Sequence, residues 1–485
     1  MKILFIVKTI DFIDPQGIML LSAIAKENSH ETLLGIISRE DIIKKIDYLK
    51  PDIIAYSAST GEHKYYLKIN KIIKEKFPDI FTIMGGPHPT FYPECIKDDN
   101  LDAICVGEGD EAFLDCIKAI ETGNNISDIE NIHTKEKKNS LRRLYPDLDN
   151  LPFPDRDLFY KNTEMGKFPI KSFMASRGCP YACTYCFNHA FRELYKGKGK
   201  VIRRKSVNRI IEEIINVMKK YKVQFIKFYD DIFAYPNDNW LTEFCKTYRK
   251  EINIPFHCAT RPNLVNEDMV KLLKESGCVS INMSIEAANP YFRNQILKRS
   301  ISDEEIERSF SFFNKYNIKT FSNNILGLPF SKIEDDIATV DMNIKCKVTF
   351  AEFPICHPYP GTELGKFCKE KGIFNEDYES LHMSYQYRSP LSCFTEKEKN
   401  IQQNISQLGL VALWLPVFRN IIMKYLIFFP NNFIFFVLYL LTKIYLIKTK
   451  IYPFKLNFFD FFSLFKKSIT IDKFKHSKEI LWEKY

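Results

Sequence analysis

Twice along this chain an apolar, strand-length run is followed by a helix-length amphipathic segment, and the alternation repeats. That pattern restricts the fold more than any other feature, because strands alternating with helices at this spacing form βαβ units around a parallel sheet. The first series reads Lys2–Val7, Thr32–Ile37, Asp52–Ser57, Ile80–Met84 and Ala103–Val106 as strands, with helices at 18–26, 41–49, 64–76 and 111–121 between them. The second reads strands at 172–175, 224–229, 256–258, 280–285, 320–326 and 351–356. We therefore expect an α/β protein with a doubly wound, Rossmann-like unit over 1–135 and a polar, Pro/Asp-rich linker over 136–167. A partial (β/α)6, TIM-like barrel over 168–385 and a helical, aromatic-rich tail over 386–485 complete the reading. In both sheet types the strand carboxyl ends carry the ligand sites. Gly85-Gly86-Pro87-His88 and Gly107-Glu108-Gly109 fall at such ends.

Charge separates the tail from the rest. Residues 401–485 hold 12 Lys and Arg against 4 Asp and Glu, which leaves the first 400 residues near neutral in a chain of net charge +9. A basic face across the body, as a nucleic-acid enzyme would need, is not indicated. Tyr425–Thr442 is uncharged but interrupted by Pro430-Asn431-Asn432. A membrane span needs about 20 apolar residues in succession. The stretch therefore suits a helical cap on the barrel or a hairpin on a membrane surface. The 13 cysteines are odd in number, and the opening apolar run is short for a signal peptide. Both point to a reducing cytoplasm, with the tail offered to the inner face of the membrane.

One cysteine cluster requires a chemical explanation. Cys179, Cys183 and Cys186 stand at C-x3-C-x2-C within a single loop, so their sulfurs can meet on one small object. Thiolates ligate iron–sulfur clusters and zinc. A structural zinc ion wants four ligands, usually two C-x2-C-like pairs. There is no second pair here, and His189 is the nearest completing donor. Three thiolates on a four-iron cubane leave one iron open to a ligand.

The loop Ser176-Arg177-Gly178-Cys179-Pro180-Tyr181-Ala182-Cys183-Thr184-Tyr185-Cys186-Phe187-Asn188 resembles the cluster loop of the radical S-adenosylmethionine (radical SAM) superfamily. Further stretches carry the resemblance through most of 168–365. Phe228-Tyr229-Asp230-Asp231-Ile232-Phe233 resembles the strand end that meets the methionine amino group, which implies Asp230 and Asp231. Cys258-Ala259-Thr260-Arg261-Pro262 implies Arg261 near the cofactor carboxylate. Ser284-Ile285-Glu286-Ala287, with Ser and Ala in place of the usual Gly and Ser, implies Glu286. Asn324-Ile325-Leu326-Gly327-Leu328-Pro329 implies backbone contacts to adenine at Gly327. The resemblance implies a 4Fe-4S cluster that reductively cleaves S-adenosyl-L-methionine to a 5′-deoxyadenosyl radical. No catalytic base stands out by spacing.

The first unit resembles the cobalamin-binding domain that precedes the barrel in one branch of that superfamily. Pro15-Gln16-Gly17, Ser57-Ala58-Ser59-Thr60, Gly85-Gly86-Pro87-His88-Pro89-Thr90 and Gly107-Glu108-Gly109-Asp110 carry the likeness, as does His357-Pro358-Tyr359-Pro360-Gly361-Thr362-Glu363 near the barrel's end. It implies cobalamin at Ser57, Gly85, Gly86, His88, Gly107 and Glu108. No Asp-x-His-x-x-Gly motif supplies a cobalt-ligating histidine. The implied activity is methylation of an unactivated carbon of a small-molecule or lipid-like substrate. The electron would come from a donor such as flavodoxin or ferredoxin, with no nucleic-acid partner. Oxidative cyclisation or ring rearrangement is the alternative within the branch. A non-catalytic membrane-surface or redox-sensing iron–sulfur protein is the alternative outside it.

Overall fold

The computed structural model describes residues 1–10, 13–98, 100–382 and 384–454. The first unit is a sheet of order β2-β1-β3-β4-β5-β6. Its strands are β1 (Lys2–Val7), β2 (Glu31–Ile36), β3 (Ile53–Ser57), β4 (Phe81–Gly85), β5 (Ala103–Cys105) and β6 (Ile132–His133). The first five run parallel, and β6 pairs antiparallel with β5 at the edge. Ile3, Leu4, Ile6 and Ile54 are almost wholly buried, because helices cover both faces of the sheet. The expectation of a doubly wound unit is met, in the 2-1-3-4-5 order rather than the 3-2-1 order of the nucleotide-binding type. Strand order reverses between β1 and β3, and a crevice opens there at the carboxyl ends.

Residues 136–167 are more than a linker. Leu148 and Leu151 pack on Leu20 and Ile24, and Asp155 pairs with Lys26 at 2.7 Å. Arg156 inserts between Asp14 of the first unit and Glu213 of the second.

The second unit is an all-parallel sheet of order β14-β13-β12-β11-β10-β7. It comprises β7 (Ile170–Phe173), β10 (Phe225–Phe228), β11 (Phe256–Ala259), β12 (Cys278–Asn282), β13 (Lys319–Asn323) and β14 (Phe350–Glu352). The sequence runs overshoot several strand ends, because buried residues such as Met283, Ile285, Leu326 and Ile355 continue the apolar pattern into the loops above the sheet. A two-stranded ribbon, β8 (Ser176–Arg177) with β9 (Arg203–Arg204), flanks the cysteine loop.

The tail packs on the barrel. Helix Glu396–Trp414, started by a Thr395/Glu398 capping box, lies against β14 and helix Ile333–Lys345. The Pro430-Asn431-Asn432 break becomes an N-cap: Asn432 Oδ1 accepts from Ile434 N and Phe435 N to start helix Phe433–Leu446. Among the described residues no helix is long and apolar enough to cross a membrane. The part of the tail expectation that falls on 455–485 lies outside the described residues.

Candidate active site between the two sheets

The carboxyl ends of both sheets face a common cavity of about 600 Å³. Phe5, Ala55, Ile83 and Phe113 form an apolar wall on the first unit, rimmed by Ser57, Gly85, Gly86, Gly107 and Glu108. Met174, Arg177, Gly178, Asn188, Tyr229 and Asp231 close it from the barrel. Five of the six first-unit residues expected from sequence thus line one space.

Glycine is required at the rim. Gly107 has φ +85°, and a Cβ there would stand 1.9 Å from Tyr195 Oη. Tyr195 Oη in turn accepts from Glu108 N at 2.9 Å. Gly86 has φ +98°, with the Ala58 backbone 2.8 Å from any Cβ. These close approaches leave flat, side-chain-free walls, which fit a large planar macrocycle.

His88 departs from expectation. It is fully buried behind the rim and absent from the cavity wall. Its ring stacks on His63 at 3.7 Å, and its Nδ1 lies 3.0 Å from Thr60 Oγ1. Burial, reinforced by His63, pushes it down to about 3. It is a packing residue of the loop. No histidine is among the residues lining the cavity.

The ribbon fastens the cysteine loop to the first unit. Arg177 and Arg203 sit opposite each other in register, and two carboxylates offset their repulsion. Arg177 makes a bidentate pair with Asp110 at 2.6 and 3.0 Å and reaches Glu108 at 3.1 Å. Arg203 grips Glu108 at 2.5 and 2.9 Å. Glu108 is therefore spent on these ion pairs.

Within the loop, burial pushes the Cys186 thiol up to about 12, and Cys183 and Cys179 push in the same direction. Burial also raises Cys179. Metal binding would reverse this, since coordinated thiols are held as thiolates. A zinc ion would hold its sulfurs about 3.8 Å apart, from its bond length and tetrahedral geometry. Among the described residues no three His, Cys, Asp or Glu side chains are grouped for a single ion. His189 Nε2 instead lies 2.9 Å from Glu363 Oε1. The donor that would complete a zinc site is thus engaged by a carboxylate.

Around the loop the expected cofactor residues divide. Arg261 is 5 % exposed, its guanidinium stacked 3.6 Å over the Tyr181 ring. Its Nε and Nη1 have no partner among the described residues. Burial and the neighbouring Arg299 push it below its ordinary value, so an arriving anion would be strongly favoured there. Asp231 accepts from Asn188 Nδ2 at 2.6 Å and faces the cavity.

Asp230 does not face the cofactor space. It accepts from Ala175 N at 3.1 Å and from Ser176 Oγ, and burial pushes it up to about 6. It holds the end of β7 in place. Gly327 N is likewise taken by Asp336 Oδ1 at 2.9 Å. Glu286 sits at φ +68°, a left-handed conformation that costs a non-glycine residue about 1–2 kcal/mol. Its carboxylate accepts from Tyr185 Oη at 2.7 Å and Arg299 Nη1 at 3.0 Å. Glu286 thus anchors the cysteine loop from below.

Sequence reasoning missed Arg299, Asn188, Tyr195 and Arg203. Arg299, Tyr195 and Arg203 belong to no motif, and each of the four acts through a partner distant in the chain. Asn188 and Arg177 carried a signal, since both lie within the quoted cysteine loop.

Comparison with known families agrees with this architecture. Residues 5–117 match the B12 binding domain and residues 174–342 match the Radical SAM superfamily. The chain carries a B12-binding domain followed by a radical SAM domain. It is 28% identical over 368 residues to the uncharacterized methyltransferase PH0819 of Pyrococcus horikoshii, covering 73% of this chain and 78% of that protein. In fold it is similar to the radical SAM methyltransferase TsrM of Kitasatospora setae, at TM-score 0.62 and 15% identity, with 76% of each chain covered. It is also similar to OxsB, a cobalamin-dependent radical enzyme solved with aqua-cobalamin and S-adenosylmethionine, at TM-score 0.66 and 17% identity. That match covers 92% of this chain and 74% of OxsB.

Proposed function

We propose that this radical SAM enzyme methylates an unactivated carbon, holding cobalamin against the first sheet and a 4Fe-4S cluster on Cys179, Cys183 and Cys186. The observation that carries the reading is the shared cavity: glycine-rimmed walls of one sheet face the cysteine loop of the other across about 600 Å³. When bound, the cluster with S-adenosylmethionine supplies the radical and cobalamin the methyl group. The unpartnered Arg261 nitrogens would hold the cofactor carboxylate, and Asp231 its amine. Glu286, Arg299 and Tyr185 would fix the cysteine loop. Ion pairs from Arg177 and Arg203 to the first unit would keep the two walls together and water out. A flavodoxin- or ferredoxin-type donor would supply electrons.

Anaerobic reconstitution with iron, sulfide and hydroxocobalamin tests this. The expected result is cluster absorbance, bound corrinoid and 5′-deoxyadenosine on reduction, with all but the corrinoid lost in a Cys179/Cys183/Cys186→Ala variant. Zinc in place of iron would sink the cluster assignment, and no retained corrinoid would sink the second cofactor.

The tail's outer face supports a membrane-surface site for the same enzyme. Val417, Phe433 and Ile434 are 80%, 68% and 67% exposed, and Phe418, Ile421, Tyr425, Phe428 and Phe429 are exposed beside them. Residues 414–454 include five Lys or Arg and no acid, although Arg419 and Lys443 are paired with Asp341 and Glu352 of the barrel. A contiguous apolar face within a basic, acid-free segment fits an anionic bilayer. Co-sedimentation with phosphatidylglycerol vesicles, weaker on phosphatidylcholine and lost in Phe433→Glu/Ile434→Glu, is the expected outcome. Equal recovery of wild type and variant would refute it.

A further inference from the structure

The barrel lumen carries a polar set that the cysteine-loop site does not use. Phe228 packs outward on Phe233, Phe244 and Tyr248, so its neighbours Lys227 and Tyr229 point inward. Lys227 Nζ donates to Tyr229 Oη at 2.5 Å, and Tyr229 lines the inter-sheet cavity above. Further around the sheet, Asn282 of β12 and Asn323 of β13 are linked at 3.4 Å and partly accessible.

Strands β10 and β14 are four places apart in the sheet, about 19 Å if it were flat. Yet Glu352 of β14 and Lys443 of the tail both act on Lys227, because the sheet curls and brings them across the lumen. Glu352 is already paired with Lys443 at 2.8 Å and accepts from Tyr385 Oη at 3.1 Å. Lys227 has no ion pair among the described residues, so the lumen holds one amine without a carboxylate of its own.

The tail closes the lumen from below. Ser280 Oγ donates to the Ile451 carbonyl at 2.6 Å. The Tyr452 ring meets His257 edge-on at 5.1 Å and lies 4.9 Å from the Lys227 ammonium.

We propose that within this lumen Lys227, with Tyr229 beside it, holds an oxyanion of the substrate, a carboxylate or a phosphate. The assignment rests on the reading of the barrel as the catalytic domain, where the substrate must lie beside the radical source. It narrows the substrate class from small-molecule or lipid-like in general to a molecule with an anionic head. Burial pushes the Lys227 amine down to about 7, with Glu352 raising it and Lys443 lowering it. His257, its register partner on β11, is itself held neutral by burial and by Lys227, and the other ionisable groups facing the amine are the Tyr229 and Tyr452 phenols, Glu352 and Lys443. An arriving anion would draw the amine to its ammonium form, whereas a neutral ligand would not.

The test is reaction of the reconstituted full chain with 1-fluoro-2,4-dinitrobenzene at pH 7.5, read by peptide mass spectrometry. At lysine this reagent attacks only the neutral amine, and an ordinary lysine is about one part in a thousand neutral there. Lys227 should label well ahead of exposed lysines. Octyl phosphate or octanoate should slow it at least threefold, while octanol should not, and the two anions reveal which head group is preferred. Labelling no faster than at surface lysines, or equal slowing by octanol, overturns the proposal. Because the readout needs no turnover, 5′-deoxyadenosine formed by a chain whose Lys227 is not protected would remove the oxyanion assignment and leave the radical chemistry standing.

Discussion

Replacing Arg156 by methionine tests whether the two sheets are locked by a buried ion triad. The guanidinium is 4 % exposed and lies 3.2 Å from both Asp14 Oδ2 and Glu213 Oε1, themselves 4% and 1% exposed. It also donates to Ser172 O at 2.8 Å and Tyr160 Oη at 3.0 Å. In the variant Glu213 keeps Lys205 at 2.5 Å. Asp14 keeps the Ser172 N–H at 2.6 Å and the Tyr160 O–H at 2.7 Å, with the Lys171 ammonium facing it. One carboxylate therefore loses its main countercharge but not its hydrogen bonds. Breaking a buried pair costs about 3–5 kcal/mol, and these remaining partners place the cost at the lower end, about 3 kcal/mol. Urea denaturation at pH 7.5, followed by far-UV circular dichroism, should show it. Adding Asp14→Asn, whose amide can accept from Ser172 N and donate to Tyr160 Oη, should recover more than half of the loss. A loss below about 1 kcal/mol, or one unrelieved by Asp14→Asn, would refute the lock.

Gly107→Ala must place a Cβ at φ +85° against Tyr195 Oη. The variant should lose corrinoid uptake, measured by absorbance after desalting, while its iron content stays unchanged. Coupling it to Tyr195→Phe should restore part of the binding. Asp336 is fully buried and pushed up to about 8 by that burial, so the native state binds its proton more tightly than the unfolded chain. Stability contributed by this group is whole below the unfolded carboxyl value and erodes as pH rises towards 8. Asp336→Asn should flatten that slope in denaturation curves taken between pH 5 and 8. An unchanged slope would show that Asp336 is already ionised in the native state.

Several features were legible in sequence because their causes are local. Strand and helix alternation follows from side-chain periodicity within a few residues, and two parallel sheets follow from that alternation. Cys179, Cys183 and Cys186 share one loop, so no folding event was needed to bring them together. The glycines of 85–86 and 107 announced strand ends where backbone must be approached closely, and the cavity lies there.

Other features depended on partners far away in the chain. Adjacent and chemically identical in sequence, Asp230 and Asp231 differ because alternation along an extended backbone turns one towards Ala175 and Ser176 and the other towards the cavity. His88 sits in a glycine motif, yet the loop folds its ring against His63. The tail read as a helical cap on the barrel or a membrane-surface hairpin, but nothing in its pattern announced that Lys443 and Tyr452 complete the lumen.

The sequence alone determined that this chain would build two parallel α/β units and carry a three-cysteine loop, since near neighbours in the chain dictate both. Only the tertiary structure decided which carboxylates face the cofactor space, which arginines hold the loop and what closes the barrel. Those choices depend on long-range contacts, and a residue's local pattern does not encode the charge or burial of a partner brought to it by the fold.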